Sequence, residues 1–256
     1  MNTLFTARTA MLALALGLPA TAREEQKPEP HVLRVLPVGS RAPFEQELRD
    51  GVRYEVDPPE GSLPPRQLEA AAVIEPDGSG GEPGGAVREI RLRLGELSPP
   101  IEFPQPAEPR ITLRDGDSAW LEASLADGRS TLLVAWRTGE TWDDVGVVTL
   151  DDSATAWPAD HARVVNVSPA PIGVIWNGER LGIRPGRTRL LSPPENGKAA
   201  KLQVLHPRLG GGFESLLETE IAPSSRMRRQ WVVFRSDRDD ARRPFQILSL
   251  AEPLRP

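Results

Sequence analysis

Apolar and polar residues alternate with a period of two along much of this chain, and that period belongs to β-strands. Ile90-Arg91-Leu92-Arg93-Leu94 sets three aliphatic side chains on one sheet face and two arginines in water. Leu132 to Trp136 and Trp231 to Phe234 are short unbroken apolar runs, as expected of buried strands. Helical periodicity is scarce, and only Leu68 to Val73 suits a turn or two of helix. Asp50-Gly51, Asp127-Gly128 and Asn177-Gly178 each lie between strand-like segments. They predict two-residue hairpin turns, whose positive φ angles Gly and Asn tolerate. Long loops are expected at the Gly-rich stretch 76–86 and the Pro-rich stretch 99–109.

Composition points the same way. With 27 Pro and 22 Gly in 256 residues, the chain cannot be a helical bundle or a coiled coil. At 39% hydrophobic and 26% charged residues it is neither a membrane protein nor a disordered one. The predicted fold class is all-β, with two sandwich-like antiparallel domains. The first spans 31–152 and the second 161–256, with the boundary in the polar stretch from Asp151 to His161. Charge changes sign there. Residues 1–157 carry 15 basic and 26 acidic side chains, and residues 158–256 carry 16 and 10.

The halves share landmarks. Arg34-Val35, Asp50-Gly51 and Leu63-Pro64-Pro65 are matched by Arg163-Val164, Asn177-Gly178 and Ser192-Pro193-Pro194. Val134-Ala135-Trp136-Arg137, leading through Asp143-Asp144 to Val147-Val148-Thr149-Leu150, is matched by Val232-Val233-Phe234-Arg235, leading through Asp239-Asp240 to Ile247-Leu248-Ser249-Leu250. The pattern fits an internal duplication, and fits equally a chance product of turn-rich composition.

The N-terminus reads as a secretory signal. Arg8 is the only charge before Arg23, an apolar run covers Ala10 to Leu18, and Pro19 precedes Ala20-Thr21-Ala22. Cleavage before Arg23 is expected, followed by a flexible leader over 23–30, with a periplasmic or secreted destination. An anchor helix is the alternative, but the apolar run is too short to span a bilayer, and no later stretch is long enough. The basic residues, 28 Arg against 3 Lys, suit a GC-rich bacterial genome.

Chemistry is harder to place. The chain has no Cys, which excludes thiolate catalysis, disulfides, Fe–S clusters and Cys-type zinc sites. Its three His are scattered, and nucleophilic hydrolase motifs are absent. Asp-rich turns at Asp237 to Asp240 and Glu140 to Asp144 suit solvated hairpin tips better than calcium loops. No cofactor and no metal is expected. The most suggestive feature is basic: Arg226, Arg228 and Arg229 precede the Trp231 strand, and Arg235, Arg238, Arg242 and Arg243 follow it. Arginine forks match carboxylate and phosphate oxygens, so this cluster is a candidate binding face. Docking of the basic second domain on the acidic first is the competing use. Trp142 and Trp157 lie in loop-like segments and are expected to be freer than the strand tryptophans, which makes Trp142 a candidate for sugar stacking.

Two pairs of segments carry a resemblance. Arg34-Val35-Leu36-Pro37-Val38-Gly39 with Asp50-Gly51-Val52-Arg53-Tyr54-Glu55, and Arg163 to Pro169 with Trp231 to Arg235, resemble uncharacterised exported two-domain β proteins of environmental bacteria. That resemblance implies paired β domains and no known activity. Pro171 to Pro185 is similar to small β-sandwich modules of bacterial surface proteins. The leading expectation is therefore a non-catalytic secreted or periplasmic module that binds an anionic glycan or a protein partner, and not nucleic acid. A carbohydrate-active or other hydrolytic enzyme and a cell-envelope structural component are the alternatives. Carboxylates in a deep cleft would favour the enzyme, an exposed Arg or aromatic face binding, and an uncovered edge strand assembly.

Overall fold

The computed structural model describes residues 29–41, 45–74, 84–194, 197–208, 210–224, 226–237 and 243–253. These residues form 18 β-strands and no α-helix. The first half contributes β1 (His31–Val38), β2 (Gln46–Arg49), β3 (Val52–Glu55), β4 (Gln67–Ile74), β5 (Gly84–Arg91), β6 (Ile101–Phe103), β7 (Arg110–Asp115), β8 (Ser118–Ser124), β9 (Ser130–Arg137) and β10 (Val145–Asp151). The second contributes β11 (Ala162–Asn166), β12 (Ile172–Trp176), β13 (Glu179–Ile183), β14 (Arg187–Leu191), β15 (Ala200–Pro207), β16 (Phe213–Ile221), β17 (Met227–Arg235) and β18 (Phe245–Pro253).

Each half is a sandwich of two four-stranded sheets, ordered β10-β9-β1-β6 and β5-β4-β7-β8 in the first. The second reads β18-β17-β11-β14 and β13-β12-β15-β16, the same order strand for strand. Hairpin β2–β3 is the extra element of the first half and forms a two-stranded sheet of its own. Pairing is antiparallel except between β1 and β9 and between β11 and β17, which run parallel. Parallel neighbours need a crossover. Here the outer sheet of each half, together with one edge strand of the inner sheet, lies within that connection.

Burial parity explains the strand sequences. In β1, Leu33 and Val35 face the first sandwich core, while Leu36 and Val38 face the opposite way. Leu133 and Ala135 of β9 join that core, with Leu132 and Val134 on the other face. In the second half Val164, Trp231 and Val233 fill the sandwich, and Val165, Val232 and Phe234 point out of it. The outward sets meet, so the two inner sheets pack face to face in a third apolar layer with Leu150 and Val167. Four sheets are stacked, and the central strands are covered on both sides. That is why they read as continuous apolar runs.

Several local expectations are corrected. Leu68 to Val73 is not helical but lies in β4, where Leu68, Ala70 and Ala72 alternate into the core. The 99–109 segment contains β6, paired to β1. The 76–86 segment lies mostly outside the described residues, and its end is the start of β5. Asp50-Gly51 and Asn177-Gly178 do close hairpins, with φ of 51° and 82°, and 50° and 90°. Asp127-Gly128 instead carries the chain from β8 in the outer sheet to β9 in the inner one.

Candidate functional site

The densest polar cluster lies at one end of the seam between the halves. Asp152, in the segment joining them, has a side chain only 1% exposed. Arg34 of β1 donates from Nε to Asp152 Oδ2 at 3.1 Å, with Nη2 on the same oxygen, and from Nη1 to Glu252 Oε2 at 2.6 Å. Arg163 of β11 donates from Nη2 to Asp152 Oδ1 at 3.0 Å and from Nε to Gln230 Oε1 at 2.6 Å. Arg228 of β17 donates to the Asp152 carbonyl at 3.2 Å. The Arg163 guanidinium lies 3.8 Å from the centre of the Trp157 ring, with that of Arg228 at 5.1 Å. Stacking of this kind suits the planar guanidinium.

Burial dominates the electrostatics. Desolvation lowers the Arg163 pKa to about 10, although Asp152 opposes the shift. The same cause lowers Arg228. For Arg34 burial also acts against the charge, but Asp152 and Glu252 outweigh it and its pKa is raised. The cluster borders a groove of about 860 Å³ that is also lined by Arg91, Arg93, Glu96 and Glu102. Four arginines and four carboxylates line that groove, so its lining has no single sign.

A second polar contact crosses the seam. Arg137 donates from Nη2 to the Asp237 carbonyl at 3.2 Å and lies 3.5 Å from its carboxylate. Ser40 N donates to Asp237 Oδ1 at 2.9 Å, and the Ser40 and Ser236 hydroxyls share a hydrogen bond at 3.0 Å. The halves are therefore joined chiefly by apolar packing, with ion pairs across the seam, rather than by opposite net charge alone.

Of the seven arginines singled out by sequence, the five that lie among the described residues do not form one face. Arg228 points to the seam, because even-numbered residues of β17 share its side with Val232 and Phe234. Arg229 has the opposite parity. With Arg226, Trp176, His161 and Pro193 it lines a hollow of about 570 Å³ on the second sandwich. Arg235 and Arg243 are exposed at the far end of β17, with Arg235 six residues and about 20 Å along the strand from Arg229. Arg238 and Arg242 lie outside the described residues.

Trp142 is corrected outright. It is 2% exposed and stacks at 6.3 Å on Trp120, and its main-chain N–H donates to the Gly61 carbonyl at 2.9 Å. The loop after β9 folds over the end of the first sandwich and inserts this ring, so no stacking face is left. Trp157 is likewise buried, at 1%, with its indole N–H donating to the His161 carbonyl at 3.1 Å.

Two exposed features were missed from sequence. Hairpin β2–β3 leaves Leu48, Val52 and Tyr54 in water, with Val56 beside them. Arg180, Arg184, Arg187 and Arg189 cluster on edge strands β13 and β14 and the turn between them, with Glu179 the one acid among residues 177–194. The second carried a signal in its charge run.

No protein-family model and no curated protein sequence matches the chain. Among solved structures, a "putative cell adhesion protein" from Bacteroides eggerthii is similar over 88% of this chain and 96% of its own, at 7% identity and a TM-score of 0.24. A likeness that faint carries no argument about this chain. Among the described residues no helix is long and apolar enough to cross a membrane.

Proposed function

We propose that the protein is an exported, non-catalytic interaction module. The observation that supports this reading is hairpin β2–β3, where Leu48 is 67%, Val52 53% and Tyr54 50% exposed. Every residue of both strands is exposed. A two-stranded ribbon is marginal in water on its own, and clustered exposed apolar side chains mark sites of association. Export rests on the apolar run and Ala20-Thr21-Ala22 at the N-terminus. The test compares wild type with the Leu48→Ser/Val52→Ser/Tyr54→Ser variant for retention on cell-envelope fractions and for self-association. Loss of either in the variant, with an unchanged melting temperature, supports the reading. Equal behaviour of the two proteins overturns it.

A second reading is favoured by the hollow that brings Arg226 and Arg229 together beside His161. Two forked cations at one wall suit the carboxylates of an anionic glycan. A rise in melting temperature with oligouronides, lost in Arg226→Ala/Arg229→Ala, is the expected result. No rise in wild type removes this reading.

A further inference from the structure

Among the described residues, nothing pairs with the outer edge of the second sandwich at β13 and β14. Strand β13 is the last strand of its sheet and β14 the last of the facing sheet. Arg184 closes the tight turn between them, with Arg187 N donating to the Arg184 carbonyl at 3.2 Å. Arg180, Gly182 and Arg184 alternate on one side of the chain, while Arg187 and Arg189 share a side on β14. All four arginines are exposed, and none has a carboxylate partner among the described residues. A Cβ on Gly182 would meet nothing within 4 Å.

Backbone phase sharpens the picture. A two-residue turn closes on a hydrogen-bonded pair, and such pairs then alternate with non-bonded ones. From Trp176 opposite Glu179, the non-bonded pairs are Ile175 with Arg180 and Gly173 with Gly182. Arg180 and Gly182 thus turn their N–H and C=O groups to the free edge. The same reasoning applies to β2–β3, where Val56 N donates to the Glu45 carbonyl at 3.0 Å and fixes the phase. Gln46 and Leu48 on one strand, and Arg53 and Glu55 on the other, present main-chain groups outward that have no partner among the described residues.

The two features are complementary. Residues 45–57 carry Glu45, Glu47, Asp50, Glu55 and Asp57 against Arg49 and Arg53, and Arg49 is already held by Glu47 at 2.6 Å. The hairpin is therefore acidic with exposed Leu48, Val52 and Tyr54. The facing edge is basic, with Leu190 38% exposed beside it. We propose that hairpin β2–β3 of one molecule adds to the β13 edge of a second copy, with its carboxylates among Arg180, Arg184, Arg187 and Arg189. Strand addition supplies the main-chain bonds and charge sets the choice of strand. Because the hairpin belongs to the first half and the edge to the second, the contact pairs two different surfaces, first half to second half. This inference rests on the reading of the hairpin as an interaction element, and names its partner.

Sedimentation velocity over a range of protein and salt concentrations tests it. Wild type is expected to associate with rising concentration and to dissociate as salt screens the contact. Glu55→Lys/Asp57→Lys and Arg180→Glu/Arg184→Glu are each expected to weaken association about tenfold or more, with unchanged melting temperature. An equimolar mixture of the two reversed proteins is expected to regain it, since each acidic element then meets a basic one. Wild type that stays monomeric, reversal without effect, or a mixture that stays apart overturns the proposal. Hairpin-dependent retention on envelope fractions by a monomeric protein overturns the self-contact alone and leaves the interaction module standing.

Discussion

Arg34 and Arg163 hold opposite oxygens of one carboxylate, that of Asp152. The two arginines occupy matched places. Arg34 lies opposite Leu132 in the parallel pair β1–β9, and Arg163 opposite Gln230 in the parallel pair β11–β17. Each therefore projects from the inner sheet of its own half towards the other. The chain segment that leaves the first half is riveted to both before the second begins. Apolar burial between the inner sheets supplies most of the adhesion, since buried ion pairs gain little net free energy against their desolvation. The rivet fixes how the sheets are aligned.

Removing the carboxylate leaves its partners charged and out of water. Arg163 has a side chain 4% exposed. Asp152→Ala is expected to lower unfolding free energy by about 3–5 kcal/mol. Replacing the exposed Glu89, which pairs with Arg91 at 3.1 Å, is expected to change it by less than about 0.5 kcal/mol. Urea unfolding of both variants measures the contrast.

The apolar layer between the halves should make them unfold together. Calorimetry of the wild-type protein is expected to show one transition. Val232, fully buried in that layer, is the place to break the coupling. Val232→Asp puts an unpaired charge between the sheets, and two separate transitions are expected. A single sharp transition in this variant would show that the halves are coupled elsewhere.

Acid should act through His31. Burial lowers its pKa below the usual 6.5, although Asp151 opposes the shift, and its Nε2 shares a hydrogen bond with Thr131 at 2.9 Å. The unfolded chain then binds a proton before the folded one does. The His31 contribution is whole above pH 6.5 and is lost as pH falls through the lower folded value. His31→Gln is expected to flatten that part of the stability profile between pH 7 and 5. An identical slope in the variant would assign the acid sensitivity to other groups.

Trp142 should behave as a core residue. Acrylamide is expected to quench it weakly, and Trp142→Ala to cost about 3–5 kcal/mol, with Trp142→Phe costing less. Soluble sugars are expected to leave its emission unchanged. A sugar-dependent change lost in Trp142→Phe would restore a stacking role.

These outcomes bear on what a sequence of this kind discloses. The strand class was legible because parity is local: Ile90 and Leu92 are buried and Arg91 is exposed, as their alternation requires. The runs around Val134 and Val233 announced strands covered on both faces. Partners were not legible. Nothing near Asp152 says that arginines from two distant strands will meet there. The basic cluster at 226–243 looked like one face because parity along β17 is hidden until its register is known. Leu68 to Val73 misled for a different reason: alanine favours helices locally, and core packing of alternate residues overrides that preference. Trp142 and Trp157 do lie outside strands, but a loop position does not fix burial when the loop folds over a sandwich end.

His31 and Thr131 touch although 100 residues separate them along the chain. As the polypeptide is synthesised, its first strand waits unpaired on its parallel side until nearly the whole first half exists. The outer sheet, built from nearer neighbours, can form earlier. The same schedule then repeats, with β11 awaiting β17. The inner sheets thus join the strand pairs most distant along the chain, the pairings with the largest loop-closure cost, and the layer between those sheets makes the two halves a single object.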